Sequence, residues 1–220
     1  MITADLDRHL NRLGLSTRGA FHPAPDDLLI SGKNIRTLVL IGNKGPDMWC
    51  VFSEAMANVP HPLDTWTKDV LPPIADHFRA YVIFPFEGPP YYPFQRWAIV
   101  ADDVSRSPIG PLIHPVYGMW HAYRAAFLFT DKLDIPVSTA KSPSPCDTCV
   151  DKPCLTTCPV GAFKPGNYDV PACRDHIAAA DGDACLHKGC LARRACPVGR
   201  DYIYEAPQAA FHMHHFLHAD

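Results

Sequence analysis

The 220-residue chain is 47% hydrophobic and 20% charged, a globular composition long enough for one sizeable domain or for a domain with a small module beside it. Its formal charge of −3 shows no basic excess, so no nucleic acid and no anionic membrane surface is expected as a partner. The opening MITADLDRHLNRLGL is charged and amphipathic without the apolar core of a signal peptide, and no run approaches the roughly 18 apolar residues of a membrane span, so a cytoplasmic location is expected.

In chain order, Leu6, Leu10 and Leu13 share a face of a helix over residues 2–13. RTLVLIGN (36–43) has the form of a short buried strand, and PDMWCVFSEAMANV (46–59) that of a helix opened by Pro46 and Asp47. A helix over 67–78 is expected to be distorted by Pro72 and Pro73, followed by a strand at 80–86, the turn-rich EGPPYYP and a helix at 94–104. Residues 110–130 suggest two strands meeting near Pro115 and Gly118, and DIPVSTAKSPSP (134–145) a linker. This order implies α+β or α/β architecture for residues 1–140. A cysteine-rich segment follows at 141–201, and 202–220 contains a C-terminal helix starting near Pro207.

Eight of the nine cysteines crowd into residues 146–196. In a reducing compartment, clustered thiols point to metal ligands rather than disulfides. Their spacing is Cys146-x2-Cys149-x4-Cys154-x3-Cys158-Pro159, then Cys173, then Cys185-x4-Cys190-x5-Cys196-Pro197, with CPVG occurring twice. The bacterial ferredoxin run is C-x2-C-x2-C-x3-C-P, whose fourth cysteine ligates the other cluster. Applied here, Cys146, Cys149, Cys154 and Cys196 would hold one [4Fe–4S] cluster, and Cys158, Cys173, Cys185 and Cys190 a second. Structural zinc is the competing reading, since CxxC pairs also build zinc sites. Cys50 is left over and expected to be buried packing material.

GPLIHPVYGMWHAYRAAFLFTDKLDIPV (110–137) resembles a segment of the CblC-type cobalamin-processing proteins with the pattern Ile-His-Pro-x-Phe-Gly-Gly-Trp-Phe-Ala-x-Arg. Gly110, Ile113, His114, Pro115, Gly118, Trp120, Ala122 and Arg124 stand at matching positions, with Tyr117 in place of Phe. Continued into CDTCVDKPCLTTCPVGAF, the stretch also resembles epoxyqueuosine reductase and the corrinoid-dependent reductive dehalogenases. The resemblance covers about residues 110–200. It implies a nitroreductase-like α+β corrinoid domain followed by a ferredoxin-like module with two [4Fe–4S] clusters. It also implies base-off cobalamin as cofactor, reduced or stripped of its upper ligand, and an electron donor such as a flavoprotein or ferredoxin. Gly110, Ile113, His114, Tyr117, Gly118, Trp120 and Arg124 would then line the corrinoid site. Two departures accompany it: CblC-type proteins lack the cysteine module, and the reductase's much longer insertion before its Gly-x-Trp segment, which includes the acidic residue proposed as its proton donor, is compressed here to WAIVADDVSRSPIG.

Taken by position alone, Trp120 and Tyr117 suit strand packing as well as the flanks of a planar ligand. Arg124, inside an apolar strand, needs a structural partner or a polar ligand, and His114 beside Pro115 suits a turn as well as cobalt ligation. Asp102 and Asp103 are expected to cap or follow the helix at 94–104. His212, His214, His215 and His218 lie on a helix whose apolar residues must dock. An electron carrier without corrinoid and a queuosine-type tRNA-modifying enzyme are the alternative functions. No G-x-x-x-x-G-K-[ST], G-x-G-x-x-G or G-x-S-x-G motif is present.

Overall fold

The computed structural model describes residues 2–24, 33–135, 141–164 and 166–219. The core of the expected linker, 136–140, lies outside them. The chain forms two compact units, Met1–Asp103 with His121–Lys141, and Val104–Trp120 with Ser142–Asp220. The segment 104–120 thus joins the cysteine-rich residues rather than the elements that precede it.

The first unit contains α1 (Ile2–Leu10), β1 (Ser16–Phe21), β2 (Thr37–Lys44), α2 (Asp47–Ala55) and α3 (Pro62–Val70). It continues with α4 (Pro72–His77), β3 (Tyr81–Ile83) and α5 (Phe94–Ala101). The second unit begins with β4 (Ser105–Arg106) and β5 (Leu112–Ile113), after which β6 (His121–Phe129) returns to the first. The remainder of the second unit is α6 (Pro145–Thr148), α7 (Pro153–Thr156), β7 (Phe163–Lys164), β8 (Asn167–Tyr168) and α8 (Val170–Ala178). It ends with α9 (Asp183–Lys188), α10 (Leu191–Arg194) and α11 (Ala206–Leu217).

The first unit is built on an antiparallel sheet of order β1-β2-β6-β3, with Thr37 opposite Phe129 and Lys44 opposite His121. An antiparallel sheet beside helices makes the architecture α+β. β2 is buried from Thr37 to Asn43, because α2 and α5 pack on it while β1 and β6 flank it. Burial on both faces accounts for its unbroken apolar run. Leu38, Leu40, Phe127 and Leu128 are fully buried, each worth about 1.5–3 kcal/mol relative to exposure. Leu6 and Leu10 of α1 are buried as the periodicity implies, whereas Leu13 falls in a 3-10 turn closed by Gly14 in the left-handed region. The helix expected over 67–78 is two helices: Pro72 and Pro73 open α4, and a proline ring has no N–H with which to continue α3.

β1 was not expected from the sequence, and Arg18 within it is 4% exposed. Arg18 donates to Asp102 Oδ2 at 2.9 Å and to the Asn43 carbonyl at 3.0 Å. Asp102 does follow α5, as the sequence suggested, but its carboxylate also accepts from Tyr123 Oη at 2.9 Å. Burial first, then the Asp102 charge, holds the Tyr123 proton on well above the ordinary tyrosine range. Arg124 Nε donates to Asn43 Oδ1 at 3.1 Å, so the strand arginine has a protein partner.

In the second unit the end of the second CPVG meets the Pro115–Gly118 turn. Gly118 and Gly199 both lie in the left-handed region, at φ 57° and 74°. A Cβ on Gly118 would come within 2.2 Å of the Val198 carbonyl oxygen, and one on Gly199 within 2.3 Å of the Tyr117 carbonyl. Gly161, at the same place in the first CPVG, has φ 57°, but a methyl group added there would meet nothing within 4 Å.

Two outcomes follow for unfolding experiments. Gly161→Ala pays only for the left-handed backbone, about 1 kcal/mol, whereas Gly199→Ala adds a backbone clash and lowers stability by about 3 kcal/mol or more; equal losses would contradict the close approach. Asp102→Ala strands the buried Arg18 charge and costs about 3–5 kcal/mol in denaturant unfolding, much of it recovered when Arg18→Met is added.

Candidate metal centre

Short helices and turns deliver the cysteines. The Ser144 hydroxyl caps α6 by accepting from the Cys146 amide at 3.3 Å, and Cys149 follows in an extended conformation. Lys152 turns the chain at φ 38° into α7, which carries Cys154 behind Pro153. The Ala162 amide donates to Cys158 Sγ at 3.4 Å. Asp169 caps α8, which bears Cys173, by accepting from the Ala172 amide at 3.0 Å. Cys185 lies on α9, Cys190 is the N-cap of α10, and Cys196 comes just after it.

These placements sort the thiols into two groups. Cys146, Cys149, Cys154 and Cys196 line a small cavity of about 20 Å³, whose other walls include Ile113, Met119, Pro145, Pro153 and Val198. Cys158, Cys173, Cys185 and Cys190 line another of about 10 Å³, with His176, Ile177, Ala192 and Met213 beside them. Cys196 joins residues that precede it by more than forty positions, and Cys158 leaves its own loop for the other group. Among the described residues, no group of three or more His, Cys, Asp or Glu side chains converges closely enough to hold a metal ion.

Burial raises the thiols of Cys146, Cys154 and Cys173 above their ordinary value and pushes Cys190 up to about 11. The smaller charge couplings stay within the same groups: Cys146 feels Cys196 and Cys149, Cys154 feels Cys196, Cys146 and Cys149, and Cys190 feels Cys185 and Cys173. Without a metal these sulfurs hold their protons. The Tyr168 hydroxyl is hydrogen-bonded to Cys173, and its ring stacks on Phe163 at 4.7 Å and on Phe216 of α11 at 6.2 Å.

The positions of the resemblance segment are divided between the units. Arg124 is on β6 of the first; Gly110, Ile113, His114, Tyr117, Gly118 and Trp120 are in the second. Ile113, 1% exposed, lines the first sulfur cavity. His114 Nδ1 accepts from the amides of Val116 at 3.0 Å and Tyr117 at 3.3 Å, as a turn histidine does, and its ring stacks on Tyr117 at 4.2 Å. Trp120 is 2% exposed and packs edge-on against Tyr204 at 5.4 Å. Gly110 has φ 103° and open space around it.

Cys50 is exposed on α2, contrary to the buried packing role expected of it; the apolar side of that helix is carried by Met48, Trp49 and Phe52. On α11, Met213 reaches the second sulfur cavity while His214 and His215 face outward. The residues that sequence inspection passed over are Arg193 and Tyr204, which pack against Trp120. They lie in stretches without an obvious periodic or motif signal.

No protein-family model matches the chain, and no curated protein does. Solved structures do. The crystal structure of an epoxyqueuosine reductase with an epoxyqueuosine-modified tRNA-Tyr stem loop is 15% identical, with a TM-score of 0.54 over 100% of this chain and 69% of that one. Epoxyqueuosine reductase from Bacillus subtilis is 14% identical, with a TM-score of 0.54 over 92% and 66%. The B12-trafficking protein CblC of C. elegans is 19% identical, with a TM-score of 0.47 over 66% and 74%. At such identities the likeness is one of fold: the chain has the α+β fold of the epoxyqueuosine reductase structures along nearly its whole length.

Proposed function

We propose that the protein is a corrinoid-binding iron–sulfur oxidoreductase that acts in cobalamin processing. Cys146, Cys149, Cys154 and Cys196 would ligate one [4Fe–4S] cluster, and Cys158, Cys173, Cys185 and Cys190 the other. The observation that carries this is the sorting of the eight thiols into two cavities, each completed by a cysteine from the other run. The donor set fits: sulfur ligands, apolar walls, and backbone or hydroxyl donors on Cys158 and Cys173. Bound clusters supply one-electron transfer at potentials down to about −700 mV, and bound cobalamin supplies a cobalt whose upper ligand is released on reduction. The chain's own share is to hold the sulfurs in rigid short helices, to exclude water from them with Ile113, Met119 and Met213, and to keep Arg124 fixed on Asn43.

The corrinoid part is supported by the resemblance of Gly110–Arg124 to the CblC-type segment. A second reading, an electron carrier without corrinoid, draws support from the packing roles of Ile113, Tyr117, Gly118 and Trp120 inside the cysteine-bearing unit.

Anaerobic reconstitution with iron and sulfide should give brown protein with about eight iron atoms per chain, two clusters of four. Cys196→Ser and Cys158→Ser should each leave about four. The cluster lost in Cys196→Ser is the one lost in Cys154→Ser, and the cluster lost in Cys158→Ser is the one lost in Cys173→Ser, as their EPR signatures will tell. Stoichiometric zinc in place of iron would sink the assignment.

Titrating the loaded protein with hydroxocobalamin should shift the corrinoid's visible spectrum, and a chemical reductant should then yield Co(II). Loaded clusters with neither change would favour the electron carrier. Binding of a tRNA stem loop would instead favour the modifying enzyme, against the chain's charge of −3.

A further inference from the structure

α10 is a four-residue helix between the two quartets, with Cys190 as its N-cap and Cys196 two residues past its end. The Arg193 carbonyl accepts from the Cys196 amide at 3.3 Å. The amides of Ala192 and Arg193 donate to the sulfur of Cys190. The backbone of Arg193 is therefore tied to one cysteine of each quartet. Its guanidinium lies 4.5 Å from the ring centroid of Trp120 and 4.7 Å from that of Tyr204, and donates through Nη2 to the Met119 carbonyl. Trp120 and Tyr204 are 2% and 5% exposed. Among the described residues no carboxylate pairs with this guanidinium, and its Nε is buried without a hydrogen-bond partner. A half-buried guanidinium whose Nε is shut off from water with no anion beside it is under-compensated, and two aromatic faces make up only part of the loss.

We infer that Arg193 is the fixed counter-ion of both cysteine quartets, its cation offsetting the negative charge of four thiolates and a cluster on either side of α10. The inference rests on the eight cysteines being cluster ligands. Adding an electron makes a cluster more negative, so a nearby cation stabilises the reduced form and raises the midpoint potential. Arg193 would act through charge and position, without touching a reacting atom.

The test is an EPR-monitored redox titration of anaerobically reconstituted wild type, Arg193→Met, Arg193→Lys and Arg200→Met. Arg193→Met keeps an apolar stem between the two rings and removes the charge. Its reduced-to-oxidised ratio at fixed potential should fall about tenfold, a shift of about 59 mV to the negative for a one-electron couple. Arg193→Lys should stay near the wild-type midpoints, and so should Arg200→Met, whose charge is exposed. Loaded Arg193→Met with wild-type midpoints overturns the inference. If Arg193→Met does not load, Arg193→Gln, which keeps a donor for the Met119 carbonyl, replaces it under the same criterion. Failure of both neutral variants while Arg193→Lys loads at wild-type midpoints supports a requirement for charge; failure of the lysine variant as well overturns it. Wild-type protein that takes up no iron or sulfide refutes the ligand assignment itself, a result separable from any property of Arg193.

Discussion

Each sulfur quartet needs a cysteine from the other run, and the short helix α10 with its flanking turns is what makes the exchange possible. A Cys-Pro step ends each run, at Pro159 and Pro197, and proline fixes the turn by locking its φ and by lacking an N–H. The consequence is mutual dependence. Neither cavity has its four thiols unless both runs are folded, so the cysteine-bearing residues form one object rather than two loops in series. The apolar residues Ile109, Ile113, Met119 and Ala192 fill the space around Cys154 and Cys196. They exclude water from this quartet, in which burial already holds the protons of Cys146 and Cys154 in place. A cluster bound there would have to displace those protons, which couples loading to pH and to the folding of the module.

The segment 104–120 changes how the molecule divides. Its β4–β5 ribbon and the Pro115–Gly118 turn belong to the cysteine-bearing unit, where Gly118 lies backbone to backbone with Gly199. A side chain at either position would push the turn away from the second CPVG. The turn carries Met119 and Trp120 with it, and these are the residues that meet the first cavity and the Arg193 guanidinium. The doubled CPVG is thus a repeat in sequence with unequal burdens. Its second copy sits under a tight backbone contact, and its first ends in open space.

Much of this was legible in the residues themselves. Period-3.6 spacing placed α1, and an unbroken apolar run placed β2. The spacing of the cysteines and the two Cys-Pro steps proposed the same quartets that line the two cavities. What escaped is what depends on long-range pairing. β1 contains Arg18 and Gly19 and has no apolar alternation to announce it; it is a strand because β2 lies beside it and because Asp102, 84 positions later, receives the Arg18 guanidinium. The division of the Gly110–Arg124 segment between two units was also invisible, since adjacency in a motif implies nothing about which core each half joins. Cys50 was misjudged for a related reason. An apolar-looking helix has one face to spare, and Cys50 is on it.

The first unit shows why a polar network persists inside an apolar sheet. Arg18, Asp102, Asn43, Tyr123 and Arg124 are joined by bonds of 2.9–3.1 Å across β1, β2, β6 and the end of α5. A hydrophobic replacement of matching volume would stabilise such a site as well or better, so stability alone does not explain two arginines held this close. Asn43 is the pivot: its carbonyl receives Arg18 and its side-chain oxygen receives Arg124. Both guanidinium groups are thereby fixed in direction at one end of the sheet, near the register break between Ile41 and Gly42, where the bulge aims consecutive β6 side chains differently. Arg18, 4% exposed, spends its charge on Asp102 inside the protein, so what the network adds to packing is direction: it ties β1, β2 and β6 to the end of α5 at one point.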